Sequence, residues 1–161
     1  MVNIYKEKDV KNARALSELF RASILPTDYM VREEKVSPER VAAMIENPSV
    51  SIFVITDDGK LAGYCLTHRK KANEFKHRIF IQAIAISPEY RNRGLAQDLL
   101  QEVIKDAFKE KAEVVCLEVV SENKDAIRLY ERAGMKECGR IPCGFKKNNR
   151  CIDTIMYCYA K

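Results

Sequence analysis

The sequence predicts an α/β protein, a mixed sheet with helices on both of its faces. Residues 81–86 form an apolar run rich in β-branched side chains, which is typical of a buried strand. Pro88 should end this strand, because proline lacks a backbone donor. Apolar residues then recur at three- and four-residue steps over residues 95–108, as in a helix that lies on a sheet. Earlier in the chain, Asp57-Asp58-Gly59 between two strand-like runs predicts a hairpin, so the sheet should begin antiparallel.

The composition is that of a soluble globular protein. The 161 residues predict a single domain over residues 1–161, with 47% apolar and 32% charged residues. No apolar run approaches the roughly 20 residues that span a bilayer, and charge interrupts the first residues at once, unlike a secretory signal. We therefore expect a cytoplasmic protein that binds no membrane. The net charge of +5 could favour anionic ligands, but it is too small and scattered to indicate nucleic acid binding.

The segment before the central strand predicts one strand, two helices and the hairpin. Residues 2–6 alternate like a strand, and Asp9 could cap a helix whose apolar stripe lies within residues 13–20. Ser37-Pro38 is a typical start for the second helix. The two strands of the hairpin follow this helix.

The segment after the central helix predicts a strand at residues 114–120 and a helix that begins at Asn123. Gly134 should end that helix, because glycine is favoured at helix C termini. A last hairpin turns near residues 147–149. The complete order is therefore βααβββαβαββ.

A short basic loop joins the central strand to its helix. The first turn of a helix has backbone N–H groups without partners, and the helix dipole favours negative charge there. Gly94 lets an anion approach the main chain closely, Ala96 keeps the next turn narrow, and Arg91 and Arg93 add positive charge. Such a loop predicts a phosphate or pyrophosphate ligand, with an ordinary loop glycine as the structural alternative.

Two motifs resemble those of the GNAT-type N-acetyltransferases. The family's pyrophosphate loop reads Gln or Arg, two residues, Gly, one residue, then Gly or Ala, and Arg91, Gly94 and Ala96 match it after a lead-in at residues 84–90. The second motif has an Asn after the fifth strand, then Ala, a Leu-Tyr pair, and a Gly before an aromatic or apolar residue. Its matches are Asn123, Ala126, Leu129, Tyr130, Gly134 and Met135.

The resemblance covers residues 2–159 and implies the GNAT acyl-CoA N-acyltransferase fold, splayed between the fourth and fifth strands. It implies acetyl-CoA as cosubstrate in that gap, and no metal. The coenzyme arm would pair with the main chain of Ile84, Ala85 and Ile86, and Asn123 would form a hydrogen bond with it. The pyrophosphate would lie on the amides of Arg91, Asn92, Arg93, Gly94, Leu95 and Ala96.

The implied reaction is the direct attack of an amine on the thioester in a ternary complex. Backbone N–H groups near Ala85 and Ile86 could stabilise the oxyanion. Tyr130 would point its hydroxyl at the thioester sulfur and is the candidate general acid, with a core tyrosine as the alternative.

The general base is left open by the sequence. Many relatives place a carboxylate at the centre of the fourth strand, where this chain has Phe80, Gln82 and Ala83. Glu118 on the fifth strand is the candidate, but an outward-facing or structurally paired carboxylate and a water relay are equally compatible with the sequence.

The implied acceptor is a primary amine: an amino acid, another small amine or a protein N terminus. Its pocket would be built from residues 25–35 and from the last hairpin. The candidate lining residues are Asp28, Tyr29, Arg32, Glu33, Glu34, Phe145, Lys146 and Lys147. Their mixed charge selects no single acceptor. Dimers are frequent in the family, so a homodimer is a further expectation.

Two other classes of function are compatible with the sequence. A coenzyme-binding regulatory or interaction module of the same fold would bind without turnover, and the absence of an evident base favours it. Nucleic acid binding through the basic residues 69–78 is the other, although such a run is more simply a solvated loop.

The six cysteines are expected to be free, reduced thiols. None forms a C-x₂-C pair, and the two histidines are far from them in sequence. Cys65 and Cys116 lie inside strand-like runs, where cysteine acts as a small hydrophobic residue.

Overall fold

Within residues 1–23 and 36–160, which the computed structural model describes, seven strands form one mixed sheet. The strands are β1 (Val2–Glu7), β2 (Val50–Asp57), β3 (Lys60–Arg69), β4 (Arg78–Ile86), β5 (Val114–Val120), β6 (Lys136–Lys147) and β7 (Arg150–Ala160). The helices are α1 (Ala13–Ala22), α2 (Pro38–Glu46), α3 (Leu95–Lys109) and α4 (Lys124–Arg132). The predicted order, βααβββαβαββ, is confirmed.

The spatial order of the strands is β1-β2-β3-β4-β5-β7-β6. β4 and β5 are parallel, whereas the other neighbouring strands are antiparallel. The last hairpin therefore inserts its second strand beside β5 and leaves β6 at the edge. Of the helices described, none has both the length and the apolar composition needed to cross a membrane.

Helices cover both faces of the sheet, as predicted. On one face, α3 and α4 pack on a core that includes Phe53, Ile55 and Leu99. On the other face, α1 and α2 pack on a core that includes Ile52, Val54 and Leu16. The alternation of residues 52–55 between the two cores follows from the two-residue period of a strand.

Local caps begin and end the helices close to the predicted positions. The Ser37 hydroxyl accepts a hydrogen bond from the Arg40 N–H at the start of α2, and Asn123 Oδ1 accepts one from the Ala126 N–H at the start of α4. Gly134 follows α4 with a φ of 85°, a left-handed conformation that glycine adopts without steric cost. Asp9 caps a short 3₁₀ turn ahead of α1 instead of α1 itself.

The expectation of six free thiols is wrong for two cysteines. Cys143 and Cys151 lie across the last hairpin and form a disulfide, while Cys65, Cys116, Cys138 and Cys158 are free. The sequence does not show this pairing, because it depends on the register of β6 against β7. Burial and a hydrogen bond with Cys138 raise the pKa of the Cys158 thiol to about 12, so this thiol stays protonated at neutral pH.

Candidate active site

The pairing between β4 and β5 stops halfway along both strands. Arg78–Ile81 of β4 pair with Val114–Leu117 of β5. Beyond this point residues 83–86 pair with β3 on one side, and residues 118–120 pair with β7 on the other. The predicted splay between the fourth and fifth strands is therefore present. Both strands present main-chain N–H and C=O groups to the gap, where an extended ligand could pair with them.

A β-bulge lies at the point where β4 leaves β5. Leu66 of β3 pairs with Ala83 and Thr67 pairs with Ile81, so Gln82 is an extra residue on β4. Because of this extra residue, Ile84 faces the same core as Ile81, three positions earlier. A bulge bends its strand and increases the twist, which agrees with the divergence of β4 from β5 here.

A cleft of about 1070 Å³ occupies the gap and continues past it on both sides. This volume is slightly above the usual range of ligand pockets, about 300–1000 Å³. The cleft is lined by residues 82–86 of β4, by the loop before α3, by Glu118, Asn123 and Tyr130, and by Gly144, Phe145 and Thr154 of the last hairpin. The predicted coenzyme-binding positions and both candidate catalytic residues thus lie around one cleft, with the exception of Arg93, whose side chain points elsewhere.

The loop before α3 presents free amides at one end of the cleft. Asn92 and Gly94 have positive φ values, 61° and 79°, and α3 begins at Leu95. The backbone N–H groups of residues 92–96 make no hydrogen bond to any residue that the structure describes. A Cβ built on Gly94 would meet no atom within 4 Å, so there is open space beside this main chain. Clustered free N–H groups at a helix start form an anion site.

The two arginines of the loop have partners of their own. Arg91 donates from Nε to Ile86 O and from Nη2 to Ser23 O, each at 2.9 Å, and so ties the loop to the ends of β4 and α1. Arg93 pairs with Asp57 at 2.6 Å and lies over the Tyr90 ring, 5.8 Å from its centre. Asp57 therefore neutralises the charge of Arg93, whereas Arg91, whose two carbonyl partners are neutral, keeps its positive charge and lines the cleft.

Tyr130 is buried on α4 and lines the cleft. Its ring packs against Tyr157, with 6.1 Å between the ring centres. No hydrogen bond joins its hydroxyl to another described residue. Burial, with a smaller contribution from the nearby Cys65, raises the pKa of Tyr130 above its ordinary value. The hydroxyl thus remains a proton donor at neutral pH.

Glu118 projects from β5 into the same cleft, with its side chain exposed. Its Oε1 accepts a hydrogen bond from the Thr154 hydroxyl. Among the residues described, no lysine, arginine or histidine forms an ion pair with Glu118. Glu118 therefore lines the cleft without a cationic partner, and its hydrogen bond with Thr154 makes it a structurally paired carboxylate, one of the alternatives that the sequence left open.

Sequence reasoning did not identify Gln82, Gly144 or Thr154 as cleft residues. Of the predicted acceptor residues, Phe145 lines the cleft, whereas Lys146 and Lys147 do not. The remaining five, which fall within residues 25–35, lie outside the described residues. In the part of the chain that the structure describes, no group of three or more His, Cys, Asp or Glu side chains is arranged to hold a metal ion.

A mixed sheet that opens beside a glycine-containing loop at a helix start is the architecture of the acyl-CoA N-acyltransferases. The family model of the GNAT acetyltransferases matches residues 16–135 of this chain. The chain therefore belongs to the GNAT acetyltransferase family, and the predicted family, fold and enzyme class are confirmed.

Several relatives are similar over most of the chain. The ribosomal protein bS18-alanine N-acetyltransferase of Escherichia coli K12 is 33% identical over 118 residues, 70% of this chain and 75% of the relative. An N-alpha-acetyltransferase of Sulfurisphaera tokodaii is 34% identical over 141 residues, 82% of each chain. A related protein of Bacillus subtilis is 34% identical over 105 residues, and the match spans 63% of that protein's length and 65% of this chain.

Solved structures share the fold at lower sequence identity. The yncA protein of Salmonella typhimurium, solved with acetyl-CoA, has a TM-score of 0.86 and 20% identity, and the match covers 99% of this chain and 93% of that one. The ribosomal-protein-S18-alanine N-acetyltransferase of Escherichia coli has a TM-score of 0.79 and 21% identity, with 99% and 94% covered.

Proposed function

We propose that this chain transfers the acetyl group of acetyl-CoA to the α-amino group of a protein or peptide N terminus, by direct attack in a ternary complex. One observation carries the proposal: the gap between β4 and β5 has free amides at one end and an unneutralised carboxylate, Glu118, on its β5 wall. The relatives named for a ribosomal protein N-terminal alanine and for N-alpha-acetylation support this acceptor class.

The shape of the cleft supports acetyl-CoA as the donor. The pyrophosphate would lie on the free amides of residues 92–96, in the open space beside Gly94, since the Arg91 N–H already donates to Pro88 O. The coenzyme arm would extend along β4, where Ile84, Ala85 and Ile86 have no partner strand on the β5 side. Asn123, whose Oδ1 caps α4, would offer its amide nitrogen to the arm. The thioester would then lie near Tyr130 and Glu118.

Glu118 would act as the general base. An α-amino group has a pKa of about 8, so about one in ten is neutral at pH 7, whereas a lysine amine with a pKa near 10.4 is almost fully protonated. A carboxylate without a cationic partner can remove the proton of the attacking amine. The acceptor, a polypeptide N terminus, would enter the part of the cleft that Glu118 and Phe145 line.

The bonds and protons balance with the residues present. As the C–N bond forms, main-chain N–H groups near Ala85 and Ile86 would stabilise the oxyanion, and Glu118 would accept the amine proton. As the C–S bond breaks, Tyr130 would donate its proton to the sulfur and recover one from solvent, and Glu118 would release the amine proton to solvent. If the acceptor is ribosomal, the reaction would take place in the cytoplasm, the location that the sequence predicts.

The test combines an acceptor panel with a Glu118→Gln variant. Wild-type protein with acetyl-CoA should acetylate a peptide that begins with alanine faster than free alanine or spermidine, as seen by mass spectrometry. Glu118→Gln should lower the turnover of that peptide by about 100-fold, because the base is lost, with little change in the Kd of acetyl-CoA. Glu122→Gln is the matched control, since Glu122 pairs with Arg150 outside the cleft.

Each result bears on a different part of the proposal. A Glu118→Gln variant with wild-type turnover would exclude Glu118 as the base. Tight binding of acetyl-CoA without acceptor-dependent thiol release would instead favour the coenzyme-binding module. Faster acetylation of spermidine or free alanine than of the peptide would overturn the acceptor class.

A further inference from the structure

We propose that Thr154, held in place by Gly144, is a positioning residue for the Glu118 carboxylate. The inference rests on the proposed function, in which Glu118 is the base. The Thr154 hydroxyl donates its hydrogen to Glu118 Oε1. Because a hydroxyl has one hydrogen to donate, Oε2 is left to receive the proton of the amine. Thr154 would thus decide which oxygen of Glu118 faces the acceptor.

The sheet register brings the two side chains together. Glu118 of β5 is directly opposite Met156 of β7, and Thr154 lies two residues along β7 on the same face. Such diagonal neighbours are within reach of long side chains. Thr154 is only 5% exposed, so its hydroxyl is shielded from water that would compete for the hydrogen bond.

The Gly144 main chain packs closely against the Thr154 side chain. The register of β6 against β7 shifts between Ile141 and Phe145, so β6 bulges there toward Thr154. A Cβ built on Gly144 would lie 2.1 Å from Thr154 Oγ1, closer than any real Cβ contact, and 3.0 Å from Thr154 Cβ, which is tighter than most real contacts. The glycine is therefore required for this close approach, and the approach limits the rotation of the Thr154 side chain.

Two further contacts hold this part of β6 against β7. The Cys143 N–H donates a hydrogen bond to Asp153 Oδ1 at 3.0 Å, and Cys143 forms the disulfide with Cys151. Both contacts join residues adjacent to Gly144 or close to Thr154 along the chain. The base, its hydrogen-bond donor and the bulge that confines the donor thus form one connected unit on the β5 side of the cleft.

The experiment uses the full-length protein, acetyl-CoA and a peptide that begins with alanine. Thr154→Val keeps the side-chain shape without the donor and should lower kcat by about tenfold to a hundredfold, the value of a hydrogen bond to a charged group, with the Kd of acetyl-CoA unchanged. Thr154→Ser keeps the donor and should restore most of kcat. Gly144→Ala should lower kcat similarly, whereas Gly139→Ala should not, because a Cβ on Gly139 would meet only Met156, at 4.0 Å.

A double-mutant cycle separates positioning from a purely structural role. If Thr154 acts through Glu118, Thr154→Val should cause no further loss of kcat in the Glu118→Gln background. Additive losses of kcat in the double variant would overturn the inference. Wild-type kcat in Thr154→Val, together with slow turnover in Glu118→Gln, would also overturn it. In both cases Glu118 would keep its role as the base. Wild-type kcat in Glu118→Gln would instead reject the base in the proposed function. If Thr154→Val does not fold, as judged by thermal unfolding, the comparison of kcat between Gly144→Ala and Gly139→Ala tests the inference instead. Equal kcat in these two variants would overturn it.

Discussion

Replacing Tyr130 by phenylalanine is expected to lower turnover by about 100-fold, while the Kd of acetyl-CoA stays within about threefold of wild type. The hydroxyl has no partner among the described residues, so its removal breaks no hydrogen bond of the protein and should cost little stability. The leaving sulfur would lose its proton donor, which affects the breaking of the C–S bond and not the binding of the coenzyme. Thiol release measured at saturating acceptor, together with calorimetry of acetyl-CoA, gives the two quantities.

Tyr157→Phe provides the matched control. The Tyr157 ring packs against Tyr130 at a tilt, but its hydroxyl donates to Glu131 at 3.1 Å, and Tyr157 does not line the cleft. This variant should therefore lose some stability and keep its turnover. Equal turnover in Tyr130→Phe and wild type would remove the acid role from Tyr130.

The pH dependence of turnover should also report the protonation state of Tyr130. Burial raises the pKa of Tyr130 above the ordinary value of about 10. The protonated form, which is the active one for an acid, is therefore retained as the pH rises from 7 to about 10. Turnover at saturating substrates should not fall across this interval in the wild type. An alkaline limb near neutral pH would point to a different donor.

Replacing Gly94 by valine is expected to weaken acetyl-CoA binding by about 100-fold or more, since the pyrophosphate site would be filled and distorted. A β-branched residue is strained at the φ of 79° that Gly94 adopts, and its side chain would enter the open space beside the free amides. The relaxation of that strain would turn the N–H groups of the loop away from the anion. Calorimetric titration with acetyl-CoA measures the loss.

Gly59→Val separates the local strain from the effect on the site. Gly59 has a φ of 76° and equally open space around its Cβ position, but it lies in the turn between β2 and β3. Both variants should lose similar stability on thermal unfolding, and only Gly94→Val should lose the coenzyme. An unchanged Kd in Gly94→Val would reject the loop as the pyrophosphate site.

The features predicted correctly are those that depend on short stretches of sequence. Ser37 caps a helix, Gly134 ends one, and the loop at Gly94 joins a strand to a helix, because each of these depends on the backbone preferences of a few neighbouring residues. The order of the elements follows from the same signals. Together with the two family motifs, these signals were enough to predict the fold.

The features that sequence reasoning missed depend on contacts between distant segments. The hairpin could place either β6 or β7 beside β5, and only the second arrangement brings Thr154 to Glu118. The bulge at Gln82 has no local sequence signal, since it appears only in the pairing of β4 with β3. The disulfide between Cys143 and Cys151 depends in the same way on the register of the last hairpin.

The partners of Arg91 and Arg93 have a consequence for how a ligand would be chosen. If the proposal is correct, peptide N–H dipoles would contact the oxygen atoms of a diphosphate directly, because Arg93 is paired with Asp57, and Arg91, although it keeps its positive charge, donates to the carbonyls of Ile86 and Ser23. Dipoles act at shorter range than net charges, so selectivity would follow the number of oxygen atoms that can each meet an N–H group. A ligand with many well-spaced oxygens would then be preferred over a small ion of equal valence.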